Sequence, residues 1–228
     1  MIKRLFLLIV VCLSCGMVKA QEQQKLLDEF LEAAGDQAEM YVGRLERGYP
    51  STIYHNHPYW LFEDFIQGDV LYKGRLYRNV LLRYDAYLQQ LVVKTPIKKS
   101  NMCPLMQFVE KFTMDGIEYS RRNGEFMAIL VSSPRLELVE QVKINVKTEI
   151  IGDNKVLSEF SRKAIYYVLH DGQMHEVDKL KSVLKLFPGL KKELKLFAKK
   201  NHLNFKDFRQ SSLISVIGYA DELLTQTK

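Results

Sequence analysis

Residues 72–94 read YKGRLYRNVLLRYDAYLQQLVVK, from Tyr72 to Lys94. Apolar side chains keep a period of two across the turn-prone pair Lys73-Gly74: Val70 and Tyr72 before it, Leu76, Val80 and Leu82 after it. That period places them on one face of a strand, so the segment predicts a hairpin whose second strand runs to Tyr84. Asp85 then breaks the pattern, and Leu88, Leu91, Val92 and Val93 begin another strand. Asp is poor in strands, and its carboxylate accepts hydrogen bonds from backbone amides two residues on, so Asp85 is expected to cap the turn between the two strands. Arg83-Tyr84-Asp85 therefore reads as shaping the sheet. An ion pair of Asp85 with Arg83 or another base, and a catalytic carboxylate, are the alternatives.

The same period extends from about Ile53 to Asp178, punctuated by Asp115-Gly116, Asn123-Gly124, Gly152-Asp153 and Asp171-Gly172. Such dipeptides between apolar runs are hairpin signals, because both central residues of a type I′ turn need positive φ; the topology should be mostly antiparallel. Val142, Ile144, Val146 and Ile150 alternate with Lys143, Asn145, Lys147 and Glu149, the pattern of a strand with one wet face. The next strand, Ala164 to Leu169 (AIYYVL), is apolar on both faces and should be central or covered by a helix.

On either side the period is helical. Leu26, Leu27, Phe30, Leu31, Ala34, Ala38 and Tyr41 recur at spacings of three and four, predicting one amphipathic helix within 21–46, ended by Gly48-Tyr49-Pro50. After Asp178 two helices follow, divided at Pro188 because a proline pushes the preceding residue out of the helical region; a third runs from about Phe205 to Leu224. The expected class is α+β: an antiparallel, strongly curved meander sheet over 50–178, barrel-like at its limit, with an N-terminal helix and about three C-terminal helices over 179–228 packed on it. One domain should span 21–228. An integral outer-membrane barrel does not fit, because charges fall on many strands and the last fifty residues are helical.

The first twenty residues, MIKRLFLLIVVCLSCGMVKA, carry Lys3 and Arg4, an apolar run and a small-residue cleavage site, which predicts a signal peptide cut before Gln21. The apolar run from Leu5 to Met17 falls short of the roughly 20 residues that span a bilayer. Lipidation at Cys15 is the subordinate alternative, since Cys12 occupies the position where a lipobox places Leu. Cleavage removes three bases and no acid, leaving 30 basic and 27 acidic residues and a mature charge of +3. A mild charge on an exported chain gives no reason to expect a nucleic-acid partner. Cys103 is then the sole thiol, so no internal disulfide is expected, and 208 residues must rest on their core.

The candidates for chemistry are sparse. His55 and His57, at i and i+2, would share one face of a strand and could hold an ion with a third ligand from Glu63, Asp64, His170 or His175, but no spacing selects one and no metal is assigned. His57-Pro58-Tyr59-Trp60 lies in an aromatic tract with Tyr54, Phe62 and Phe65, read as core or as a contact surface. The candidate partner- or ligand-binding set is therefore His55, His57, Tyr59, Trp60, Arg83 and Asp85. His175-Glu176 fails as a zincin motif because Lys179 stands where the second His belongs. No nucleophile elbow or phosphate-binding glycine loop occurs, and Cys103 precedes Pro104 in an apolar stretch. No catalytic residue and no cofactor are assigned. Paired carboxylates from distant strands would leave no local signature. The lysines from Lys179 to Lys200 offer peripheral membrane contact; the plainer reading is a pair of helices covering the sheet with lysines in solvent.

Three stretches carry a resemblance: Gly68 to Val93 (GDVLYKGRLYRNVLLRYDAYLQQLVV); Ala38 to Gly43 (AEMYVG) with His57-Pro58; and Val183 to Lys206 (VLKLFPGLKKELKLFAKKNHLNFK). The chain resembles a family of uncharacterised exported proteins of Bacteroidota. The resemblance implies a cell-envelope setting, in the periplasm or at the outer membrane, and carries no catalytic residues with it. The expected function is a non-catalytic accessory protein presenting a sheet-plus-helix surface to an outer-membrane transporter or assembly complex or to a periplasmic partner. A periplasmic hydrolase with carboxylates assembled by the fold, and a small-ligand binder with a pocket in the curved sheet, are the alternatives.

Overall fold

The computed structural model describes residues 25–49, 53–151 and 155–226. The expected signal peptide, Cys15, Pro50 and the Gly152-Asp153 turn lie outside them. Residues 25–34 form helix α1. The strands are β1 (Arg44–Leu45), β2 (Ile53–His55), β3 (Ile66–Tyr72), β4 (Arg75–Asp85), β5 (Gln90–Lys94), β6 (Asn101–Cys103), β7 (Val109–Met114), β8 (Ile117–Arg122), β9 (Glu125–Ser132), β10 (Leu136–Ile151), β11 (Lys155–His170) and β12 (Gln173–Val177). Three helices follow, α2 (Leu180–Leu186), α3 (Lys191–Lys200) and α4 (Arg209–Gln226).

All twelve strands join one sheet, in the order β1-β6-β5-β4-β3-β7-β8-β9-β10-β11-β12, with β2 paired separately to β11. Every pairing is antiparallel except β2 with β11, so the sheet is mixed. Four of the expected turns have positive φ at both residues: 49° and 72° at Lys73-Gly74, 50° and 74° at Asp115-Gly116, 52° and 84° at Asn123-Gly124, 49° and 73° at Asp171-Gly172. The α+β class and the helices at both ends are as the sequence predicts. The first helix is shorter than the 21–46 segment: Gly35 turns the chain at φ 50°, and two 3₁₀ turns lead into β1. Asp36 holds the new direction by accepting hydrogen bonds from the main-chain N–H groups of Ile97 (2.8 Å) and Lys98 (3.0 Å).

The sheet is strongly curved but not closed, so it is no barrel. Its curvature follows from the chain that crosses its opening. Tyr54 pairs with Ser158 of β11, and Tyr59 bridges Asp85 of β4. Five residues of extended chain reach about 18 Å at most. A flat sheet would separate those two positions by six strand spacings, about 29 Å. The sheet must curl for residues 53–61 to act as this strap.

Inside the curl lies the first core, where Trp60 on the strap meets Tyr119 edge-on at 5.1 Å and Phe112 stacks on Tyr119 at 5.0 Å, with Tyr84, Phe126, Val142, Ile144 and Phe160 around them. The second core lies under the helices: Leu136, Leu138, Tyr166 and Val168 of β10 and β11 pack against Val183, Phe187, Leu194, Leu213, Val216 and Ile217. Leu194 and Ala198 of α3 are buried while its lysines face solvent, so the helix lays its apolar stripe on the fold. β10 and β11 serve both cores, because their register is unbroken from Leu136↔His170 to Ile151↔Lys155 and alternate residues share one face.

Candidate functional site

On the shared face of β10, Leu136, Leu138, Val142 and Ile144 are apolar, and between them stands Glu140. It is 3% exposed, at the border where the helical roof stops and the strap has not begun. Burial pushes its carboxyl above the usual range, against the lowering effect of Arg162. Its oxygens accept from Arg162 Nη2 (3.3 Å), the Tyr166 hydroxyl (3.4 Å) and Gln210 Nε2 (3.2 Å). Gln210 sits in the first turn of α4, so the acid pins that helix to the sheet.

Above Glu140 the outer edge of β11 is interrupted. β2 pairs with Leu157–Glu159 and β12 with Tyr166–His170. Among the described residues no strand covers 160–165 on that side. β2 stops because Asn56 adopts φ 60° and Pro58 follows. The Asn56 side chain then donates to the Phe160 carbonyl (3.1 Å), ending the pairing. Two cavities open along the break and meet at Arg162. One, of about 360 Å³, is bounded by the strap (Asn56, His57, Tyr59, Trp60) and by Ile144 and Phe160. The other, of about 590 Å³, lies between Arg162–Tyr166 of β11 and Lys206–Ser211 before and within α4.

The structure divides the six sequence candidates. His57, Tyr59 and Trp60 line the smaller cavity, and His57 Nδ1 is buried without a hydrogen-bond partner among the described residues. His55 lies at the end of β2 opposite Glu159, exposed. The left-handed residue Asn56 interrupts the strand alternation that would have put His55 and His57 on one face, and no group of three metal-ligating side chains occurs among the described residues. Arg83 and Asp85 belong to the scaffold. Arg83 stacks over Tyr59 (4.0 Å) and Phe65 (4.4 Å), donates twice to Glu46 (2.9 and 3.0 Å) and once to the Glu63 carbonyl (2.6 Å). Asp85 caps its turn as expected, accepting from the N–H groups of Tyr87 (3.0 Å) and Leu88 (2.8 Å). It also accepts from the Tyr49 hydroxyl, and the Tyr49 ring meets Phe160 edge-on at 5.2 Å, tying the turn to β11. Burial raises the Asp85 carboxyl too.

Sequence reasoning missed Glu140, Arg162, Lys206, Arg209 and Gln210. One signal was present: in Leu136-Glu137-Leu138-Val139-Glu140-Gln141-Val142 an acid occupies a core-facing register, which demands a buried partner. The cations had no such mark, since each looks like a solvated residue until the fold gathers them. The aromatic tract is divided: Tyr59 and Trp60 are core, Tyr54 and Phe62 are exposed. No family model, curated protein or solved structure matches the chain.

Proposed function

We propose that this chain is an exported cell-envelope accessory protein, without catalytic activity, that presents its sheet-plus-helix surface to an outer-membrane or periplasmic partner. The N-terminal twenty residues and the resemblance to exported Bacteroidota proteins supply the compartment. The observation that carries the binding reading is the break in the β11 edge, open backbone between the paired ends of β2 and β12 and flanked by two cavities. The two carboxylates raised by burial serve separate networks: Asp85 on β4 caps a turn, and Glu140 on β10 holds Arg162 and α4. A hydrolase would need two carboxyl groups facing one another across a substrate. The solvent-facing lysines of α3 add attraction to an anionic membrane surface.

The test is photo-crosslinking in intact envelopes, with the reactive amino acid placed in turn at Ser161 and Lys163 in the cleft, Asn145 on β10 and Lys111 on β7. A single stoichiometric envelope protein crosslinked at one or more positions is expected. A monomer that crosslinks to nothing at any position would overturn the reading. A second reading, small-ligand binding, is favoured by the unsatisfied His57 Nδ1 in the smaller cavity. Trp60 is the only tryptophan and lines that cavity, so its fluorescence would report such a ligand directly.

A further inference from the structure

We infer that the break in β11 is a docking slot for an acidic, extended peptide segment of the partner protein, which adds as a short strand between β2 and β12. The inference rests on the binding reading above and specifies its partner's chemistry. In a strand the main-chain groups of alternate residues point to opposite sides, so about half of those in Ser161–Ile165 face away from β10. The Phe160 carbonyl is satisfied by Asn56, and beyond it no strand of the described residues pairs with the edge as far as Tyr166. Five residues span about 17 Å, enough for a short strand. Unlike an ordinary sheet edge, which is left blunt or hidden, this stretch is framed at one end by β2 and at the other by β12. A strand in the gap would continue the row that those two begin.

The slot is strongly cationic. Arg162, Lys163, Lys206 and Arg209 line the larger cavity. Asp207, the one acid among its lining residues, is engaged by the Asn204 side chain at 2.8 Å, and Arg162 is already paired with Glu140 at 3.3 Å. Lys163, Lys206 and Arg209 make no ion pair among the described residues. Lys163 also stands directly opposite Lys143 of β10, a like-charge pair across strands that an incoming carboxylate would relieve. Tyr166 and the exposed Phe208 give an apolar side chain of the segment a place to rest. A free anion would use the cations and leave the edge unpaired; an apolar strand would pair with the edge and leave the cations unmatched. An acidic strand satisfies both. Among the described residues β10 is also unpaired beyond Glu140 on the side of β9, but no strand resumes the row beyond that point, so the edge is not framed at both ends.

The test titrates the full mature chain, by fluorescence anisotropy, with labelled peptides of alternating Glu and Val. Two further versions are N-methylated at odd or at even positions, and a fourth carries Lys for Glu. The acidic peptide should bind at least tenfold more tightly than the Lys peptide, and one of the two N-methylated forms should lose at least tenfold, because only one methyl register blocks the bonded edge. Lys206→Glu and Arg209→Glu, both at exposed positions, should each weaken binding severalfold, and inorganic phosphate should not displace the peptide. Parent-like binding of both methylated forms, displacement by phosphate, equal binding of the Lys peptide, or no binding would overturn the slot. The crosslinking panel separates this failure from that of the binding reading. A partner captured at Asn145 or Lys111 but not at Ser161 or Lys163 overturns the slot alone, while silence at every position overturns both.

Discussion

Asp85 and Glu140 are both buried carboxylates, and their surroundings give them different work. Asp85 accepts from two turn amides and from the Tyr49 hydroxyl, so Asp85→Ala strands three donors. It should cost about 2–3 kcal/mol in urea unfolding, with Asp85→Asn retaining much of the cap. A loss below 1 kcal/mol would mean that the turn forms without it. Glu140 makes stability depend on pH. Burial raises its folded value above the ordinary 4.5, so between those two values the folded chain binds more protons than the unfolded one. The contribution of Glu140 to stability therefore falls as pH rises through that window and is level above it. The stability of Glu140→Gln relative to the parent should accordingly climb from acid pH upward. A difference that stays flat with pH would show that the carboxyl is not held in this way.

At the scale of elements, the sheet is shaped by positions where a side chain has no room. A Cβ on Gly68 would sit 1.9 Å from the Thr113 carbonyl oxygen, beside the register shift between Gly68 and Val70 in β3. Gly68→Ala should cost about 2–4 kcal/mol, because backbone must move to admit it. Gly124→Ala makes the contrast: its φ is 84° but the space around it is open, so only the backbone strain of about 1 kcal/mol is expected. Equal losses at the two sites, measured by thermal or urea melts, would mean that close packing of β3 on β7 does not set the bulge. The hairpin turns and the C-terminal helices were legible because each depends on residues next to one another in the chain. The end of α1 was misplaced because its apolar spacing persists beyond Gly35, while Asp36 binds a loop some sixty residues away.

For the whole molecule, the long hairpin of β10 and β11 is the common member of both cores. Phe160 and Val142 belong to the core inside the curl, Tyr166 and Leu138 to the one beneath the helices. Unfolding should consequently be one transition. The fluorescence of Trp60, buried in the first core, and the helical circular dichroism of α2–α4 over the second should share a midpoint in urea. Two separated midpoints would show that the halves fold independently and that β10–β11 does not couple them.

By itself the sequence determined the α+β class, the positions of four type I′ turns, the cap at Asp85 and the three C-terminal helices. All of these are set by spacing, φ requirements and hydrogen bonds within a few residues. Only the tertiary structure decided that the curved sheet stays open, that residues 53–61 strap it, and that among the described residues β11 is left bare between β2 and β12. Those features arise where Asn56, Glu140, Arg162 and Arg209, from four separate parts of the chain, are brought to one place by the packing of two cores on the same pair of strands. Nothing in the neighbourhood of any one of them in the sequence records the others.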